Sequence, residues 1–449
     1  MRPTNFLWLP FVLILISPLI VDAQSKEPYF PVPKELPGNY EGKWYGMHIP
    51  TSLVSNEEYV GFFRGEGFPN QTIISSWGYK AKPIEEIKDL LTETWYDICT
   101  HPEQWGDIRI NEVAFVPLDQ FPGRYQKLRK EATERNKGKT RISESGYIAD
   151  YVNGFPFPGS KNGEEIAWNF VNAQNFGDMM FSNFYAAIVD RKGQTRYIVA
   201  DQNFMSWVGR LQGKQVPRWE PNQNNYKWFN SIPYKLPGDL RGILTITHRY
   251  DSVKQDDMWI YLPSLRRVRR MATSQRWDKL PGGYDVTYDS IVGFQGKVNN
   301  YDWKYLGRKV LLCGRTAKDE LQEIKGKPGG GCADQLYQRV NTIVLEYIPK
   351  ITSVISKAVI YIDPDTYVCY YADFFDKRGR KYLFLNYCWA VSKDGCMSLQ
   401  GYLAADVQRT HSSNTYVFRT LFNEDAEKHI GLSPSYFTMG FLRKRYGGR

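Results

Sequence analysis

The stretch from Asp257 to Met271 alternates in the manner of a β-hairpin. Asp257-Met-Trp-Ile-Tyr-Leu262 runs into Pro263-Ser264-Leu265 and returns as Arg266-Arg-Val-Arg-Arg-Met271, which predicts strand, turn, strand. Residues two apart share a face of a strand, so Trp259 and Tyr261 point one way and Met258, Ile260 and Leu262 the other. Ala358-Val-Ile-Tyr-Ile362, the turn Asp363-Pro364-Asp365 and Thr366-Tyr-Val-Cys-Tyr-Tyr371 repeat the scheme. They read as a second hairpin rather than an internal repeat. Asp376-Lys-Arg-Gly379 then supplies a turn with glycine where a positive φ is wanted, and Arg380 to Trp389 returns as another strand. In that strand Tyr382 and Phe384 alternate with Leu383, Leu385, Tyr387 and Trp389. A sheet wet on one face would alternate apolar with polar. This one is expected to be covered on both faces, by helices or around a lined cavity.

Helical periods are fewer. Pro83 to Cys99 carries an apolar stripe at Ile84, Ile87, Leu90, Leu91, Trp95 and Ile98, with Pro83 in the first turn and Glu85 and Glu86 near the positive end. Arg124 to Lys139 is a polar surface helix ending at Gly138, and Gly163 to Phe181 is a third. Strand patterns dominate from Asn183 onward. Gln24 to Asn39 is a proline-rich arm, and Tyr40 to Tyr79 mixes glycine with aromatics as short strands and loops. Before the arm, Arg2, the apolar run Phe6–Ile16 and Val21-Asp22-Ala23 have the grammar of a secretory signal peptide cut after Ala23. The run is too short to span a bilayer, which takes about 20 residues. An uncleaved anchor is the competing reading. The expected division is a signal peptide at 1–23, an N-terminal segment at 24–145 and a main domain at 146–449.

A chain of 449 residues can bury a large core. Aromatic residues make up 15% of it, which favours sheet and suits a ligand surface made of rings. The net charge of +10 suits anionic lipid head groups, acidic polysaccharide or an acidic partner, or serves solubility alone. Export makes nucleic acid an improbable partner. Six cysteines fit an oxidising compartment and allow fifteen pairings. Cys313 and Cys332 flank the Gly/Pro-rich loop 325–331 and could staple it. Cys369 and Cys388 face each other if cross-strand numbers sum to about 757. Cys388 with Cys396 competes.

Catalytic signatures are missing. The chain holds no G-x-S-x-G elbow, H-E-x-x-H, Walker A loop or dinucleotide fingerprint, and its five histidines have no metal or triad spacing. No cofactor and no enzymatic activity are expected. Asp256 and Asp257 adjoin a strand and would point to opposite faces, so a turn or capping role outranks acid–base work. Gly329 to Gly331 reads as a flexible loop. Arg266, Arg267, Arg269 and Arg270 would place cations on both faces of their strand. They suit phosphate or carboxylate head groups, or an edge strand charged against aggregation.

Several landmarks together resemble a Gram-negative family, domain of unknown function thirteen-twenty-nine, akin to outer-membrane lipoprotein-sorting proteins. They are Gly154-Phe-Pro-Phe-Pro158, Asp256 to Pro263 with the following arginines, Leu306-Gly307-Arg308-Lys309, Ser356-Lys357, Tyr361-Ile-Asp363, Asp365-Thr366-Tyr367, Asp376 to Gly379, Phe437-Thr438 and Leu442 to Arg445 with Arg449. Tyr367 stands where the family pattern has Trp, and Ala358 where it has Arg. The resemblance covers about Gly146 to the C-terminus. It implies an α+β, β-dominated fold similar to the LolA and LolB carriers: a strongly curved antiparallel sheet with helices on the concave side. It also implies a periplasmic site, with association at the outer membrane as a candidate, and accessory work in lipid or hydrophobe traffic, with a resistance-nodulation-division transporter as a candidate partner.

The expected function is therefore periplasmic binding or carriage of lipids or other hydrophobes. Trp259, Tyr261, Tyr361, Tyr382 and Phe384 are the candidate lining, and Arg266, Arg267, Arg269 and Arg270 the rim. The alternative is a cell-envelope polysaccharide binder using exposed Trp and Tyr as stacking platforms. A hydrolase assembled from dispersed acids is a third class.

Overall fold

The computed structural model describes residues 71–173, 177–213, 215–316, 324, 326–333 and 335–446, with a small ladder of Lys43–Trp44 and Met47–His48 before them. The signal peptide and proline-rich arm read from the sequence lie outside the described residues.

Fifteen strands form one sheet. In chain order they are β1 (Ile73–Gly78), β2 (Arg109–Val113), β3 (Met179–Val189), β4 (Thr195–Ser206), β5 (Tyr226–Leu236), β6 (Leu244–Tyr250), β7 (Asp257–Leu262) and β8 (Arg267–Arg270). Then come β9 (Tyr301–Thr316), β10 (Leu336–Pro349), β11 (Ile355–Ile362), β12 (Cys369–Asp376), β13 (Lys381–Val391), β14 (Met397–Asp406) and β15 (His411–Phe422). The spatial order is β8-β7-β6-β5-β4-β3-β15-β14-β13-β12-β11-β10-β2-β1, with β9 beside β10. Strands β3 to β8 are a simple meander, because each turn returns the chain to the strand just left. The final strand is different. β15 inserts between β3 and β14 and joins the two halves of the sheet.

Pairing is antiparallel except where β2 meets β10 and where β9 touches β13 at Gly314↔Cys388. That last contact closes β9 to β13 into a ring. It needs glycine: a Cβ at Gly314 would lie 2.6 Å from Cys388 Sγ. The Tyr371 hydroxyl crosses the ring to donate to the Leu312 carbonyl. The N-terminal strands β1 and β2 extend the same sheet, through the parallel pairs Leu336↔Asn111 and Tyr337↔Glu112.

Five helices matter. The expected single helix from Pro83 to Cys99 is broken: Ile84–Leu90 is a 3-10 segment, Leu91 is extended, and α1 (Glu93–Thr100) starts afresh. Thr92 causes the restart, its side chain accepting from Trp95 N at 3.1 Å as an N-cap. The stripe still seeks the core, and Ile84, Ile87, Leu91, Trp95 and Ile98 are all buried. Trp95 stacks on Phe384, which stacks on Tyr371, both at 6.0 Å. α2 (Tyr125–Asn136) fits the expected surface helix. α3 (Gly163–Asn172), capped by Asn162, is shorter than the expected Gly163–Phe181, because Met179-Met-Phe181 is taken into β3. Sheet pairing overrides the helical reading there. α4 (Asn423–Ile430) and α5 (Met439–Tyr446) close the chain.

The sheet is covered on both faces, as the alternation in β7 requires. Met258 enters a large core with Trp168, Trp228 and Ile232. Tyr261 enters a second core with Phe181, Met205, Phe229 and Ile246, which α4 and α5 cover through Ala426 and Leu442. Each fully buried side chain of this size contributes roughly 1.5–3 kcal/mol. No helix among the described residues is long and apolar enough to cross a membrane.

Two expectations about the cysteine-bearing segments need correction. All six cysteines are buried free thiols, so none of the pairings Cys313–Cys332, Cys369–Cys388 or Cys388–Cys396 is formed. The register sum was right, since Tyr371 faces Asn386, but regular pairing stops there and the Trp389 indole donates to the Cys369 carbonyl at 2.8 Å. Gly329 to Gly331, read as a flexible loop, is packed into the interior. Its backbone is buried, Gly329 N donating to Trp105 O at 2.7 Å and Gly331 N to the Tyr416 hydroxyl at 2.9 Å.

Candidate functional site

The site grows from the way α3 is fastened to the sheet's inner face. Asn169 is fully buried on α3 and acts as its latch. Its amide nitrogen donates to Phe157 O at 2.6 Å and to the Tyr367 hydroxyl at 3.0 Å, while its oxygen accepts from Phe157 N at 2.8 Å. Phe157 belongs to the Gly-Phe-Pro-Phe-Pro loop, and Phe155 of that loop packs on Tyr367 at 4.8 Å between ring centres. Arg129 of α2 stands over the Phe155 ring at 5.4 Å. Tyr367 adopts φ 56° in the turn that Asp363 organises by accepting from Asp365 N and Thr366 N. Tyr367 thus helps hold the helix.

Beneath the C-terminal half of α3 is a narrow apolar cleft of about 40 Å³, lined by Phe170, Val171, Val292, Phe294, Val368 and Trp389 and bounded by Arg249. A second void of about 20 Å³ also touches Val171. Past Arg249 lies a larger cavity of about 260 Å³, with Trp277, Tyr301 and Ile351 beside Arg276, Asp289 and Lys297.

A buried charge network separates cleft from cavity. Asp256 binds Arg249 at 2.8 Å, Arg276 at 2.9 Å and Lys297 at 3.3 Å. Arg276 also holds Asp289 at 2.6 Å. The Gln295 carbonyl accepts from both Arg249 and Arg276, and Arg249 lies 4.6 Å above the Trp228 ring. Burial would raise the Asp256 carboxyl, but the three cations hold it well below the ordinary carboxylate range. Burial pushes Lys297 down to about 7, with Asp256 opposing. Burial takes Lys227, which lies 5.6 Å from the Tyr147 ring centre and 5.5 Å from that of Trp168, down to about 8. Asp256 is thus an ionic hub and not the turn or capping residue expected. Asp257 does point the other way, to Tyr250 and Arg270.

This has a measurable sign. Both lysines hold protons less tightly folded than unfolded, so the unfolded chain binds more protons above roughly pH 7, and stability rises with pH from there toward the ordinary lysine range. Lys297→Met removes part of that slope, up to about 1.4 kcal/mol per pH unit. Urea unfolding of both proteins at neutral and mildly alkaline pH measures it, and identical slopes would remove Lys297 from the account.

The expected lining residues are not brought together. Trp259 and Tyr261 face the second core under α4 and α5. Phe384 lies in the first core against Trp95, with Tyr361 and Tyr382 packed at its margin. None of the five lines the cleft or the larger cavity. Arg266, Arg267, Arg269 and Arg270 are exposed at the edge of the sheet, two strands beyond Arg249. Of the four, Arg270 is ion-paired, with Asp257. The latch, the cleft and the hub went unpredicted, although Phe157, Tyr367 and Asp256 all lie in the motif segments.

Fold and site together define a class: β-dominated α+β proteins in which one large, strongly curved sheet holds a helix latched over its inner face. The chain belongs to the family described as Protein of unknown function (DUF1329), whose profile matches residues 120–443. Among solved structures it is similar to a domain described as outer-membrane lipoprotein-sorting from Vibrio parahaemolyticus, at 17% identity over 63% of this chain and 98% of that one, TM-score 0.45. A DUF1329 family protein from Desulfovibrio piger shows 18% identity over 62% and 97%, TM-score 0.45. A LolA superfamily protein from Nitrosomonas europaea shows 13% over 61% and 98%, TM-score 0.39. No curated protein matches the chain.

Proposed function

We propose that this protein is a non-catalytic, exported binder of hydrophobic or amphipathic molecules, working in the periplasm in lipid or hydrophobe traffic. The observation that carries the reading is the apolar cleft under α3, with the Arg249 network at its polar end. As closed, the cleft has room for no more than a few waters. A guest therefore enters by displacing α3, whose grip at this end depends on the Asn169 latch. An acyl chain of about sixteen carbons would gain on the order of 10 kcal/mol gross from leaving water, at about 0.8 kcal/mol per methylene. That is comparable to what it gains in a bilayer, so transfer either way is feasible. A resistance-nodulation-division transporter or an outer-membrane component is the partner such traffic calls for.

Asn169→Ala is expected to speed uptake of a fluorescent fatty acid severalfold while costing about 1–3 kcal/mol of stability. Val368→Trp, which fills the cleft, is expected to abolish uptake. Native mass spectrometry of wild type from a Gram-negative host should show bound lipid. Empty protein, with uptake indifferent to both substitutions, would retire the reading.

The larger cavity favours a second reading. Trp277 and Tyr301 beside Asn300, Gln255 and Asp289 suit a sugar ring. Glycan-array binding lost in Trp277→Ala, with an empty cleft, would move the assignment there.

A further inference from the structure

We infer that the β8 edge and the exposed side of α5 form one docking face for the surface of an anionic phospholipid bilayer. Arg266, Arg267 and Arg269 are exposed and make no ion pair among the described residues. Val268 pairs with Tyr261 across the ladder, and Arg443 of α5 stands over the Tyr261 ring at 4.8 Å, so the strand face carrying Val268 meets the helix. Arg267 and Arg269 alternate to the other face of this edge strand, and the docking surface is the edge itself, from which both rows of long side chains reach. Lys444, next along α5, is also exposed. Positive charge is concentrated in the chain here: neither Met258 to Trp277 nor Ile430 to Arg449 contains an acidic residue. Asp257, the carboxylate at the strand's far end, is already held by Arg270 and Tyr250. Between the cations sit partly exposed apolar side chains, Leu265 at 56% exposure, Val268 at 40% and Phe441 at 38%.

Cations interleaved with shallow apolar groups match head groups above acyl chains. An added protein strand is the poorer match, because β8 has only four residues and its charges blunt edge pairing. The inference serves the hydrophobe-binding reading by giving the protein a place to load, yet docking is measured without cargo and stands or falls separately from uptake.

The test is flotation of the full protein with phosphatidylcholine vesicles, with and without about one-third phosphatidylglycerol. Wild type is expected to float with the anionic vesicles in dilute salt, to release at about 0.5 M salt, and to ignore pure phosphatidylcholine. R266E/R267E/R269E is expected to lose binding at least tenfold, and R443E/K444E severalfold. The control K377E/R378E, on the β12–β13 turn, should bind nearly as wild type. Melting curves check that the variants fold, which their exposure favours. No binding to anionic vesicles in dilute salt, equal binding to neutral ones, or equal loss in the control would overturn the inference.

Discussion

Replacing Asp256 with alanine is expected to destabilise the protein by about 3–5 kcal/mol, a large part of the stability of an ordinary fold. The hub carboxylate serves three cations at once, and all of them are more than nine-tenths buried. Removing it leaves Arg249 and Lys297 without a carboxylate partner inside the core, and Arg276 with Asp289 alone. Burying an uncompensated charge is what makes the change severe; the pairs themselves contribute far less. Lys297→Met should therefore be much milder than Asp256→Ala, although both break the same contact. Urea unfolding at neutral pH checks this order. Equal costs would mean that the network is held by packing and not by charge balance.

The second large effect is expected at Gly331. Its φ is 79°, and a Cβ there would meet the Tyr402 carbonyl oxygen at 2.6 Å and Leu403 N at 3.0 Å. Both are backbone atoms of β14, so the clash cannot be relieved by turning a side chain. Gly331→Val is expected to cost at least about 3 kcal/mol, and to leave little folded protein. Gly379, in the β12–β13 turn, has a similar φ of 76° with nothing near its missing Cβ. Gly379→Val should cost only about 1–2 kcal/mol. Soluble yield and urea midpoints of the pair separate crowding from backbone strain. A folded, stable Gly331→Val protein would show that the loop does not thread against β14.

The hairpins were legible because alternation is a local signal. Met258 and Tyr261 reached different cores just as their parity demands, and Tyr371 faces Asn386 as the spacing implies. What covers each face was not legible. Trp259 and Tyr261 lie beneath α4 and α5, whose short, charged sequences gave no warning of a role. Thr92 could have signalled the break before α1, since a capping residue stands inside an apolar stripe. The hub could not be read, because Arg249, Asp256, Arg276, Asp289 and Lys297 come from separate segments and converge only when the sheet curves. Asn169 is similar. A polar residue inside an apolar helix is a hint, but its partners Phe157 and Tyr367 sit 12 and 198 positions away.

The position of β15 sets the timetable of biogenesis. Until residues 411–422 are available, β3 keeps one long side without its partner, whereas β14 precedes β15 by only a short turn. Until that strand docks, β3 thus carries a half-built, sticky border that invites pairing with foreign strands.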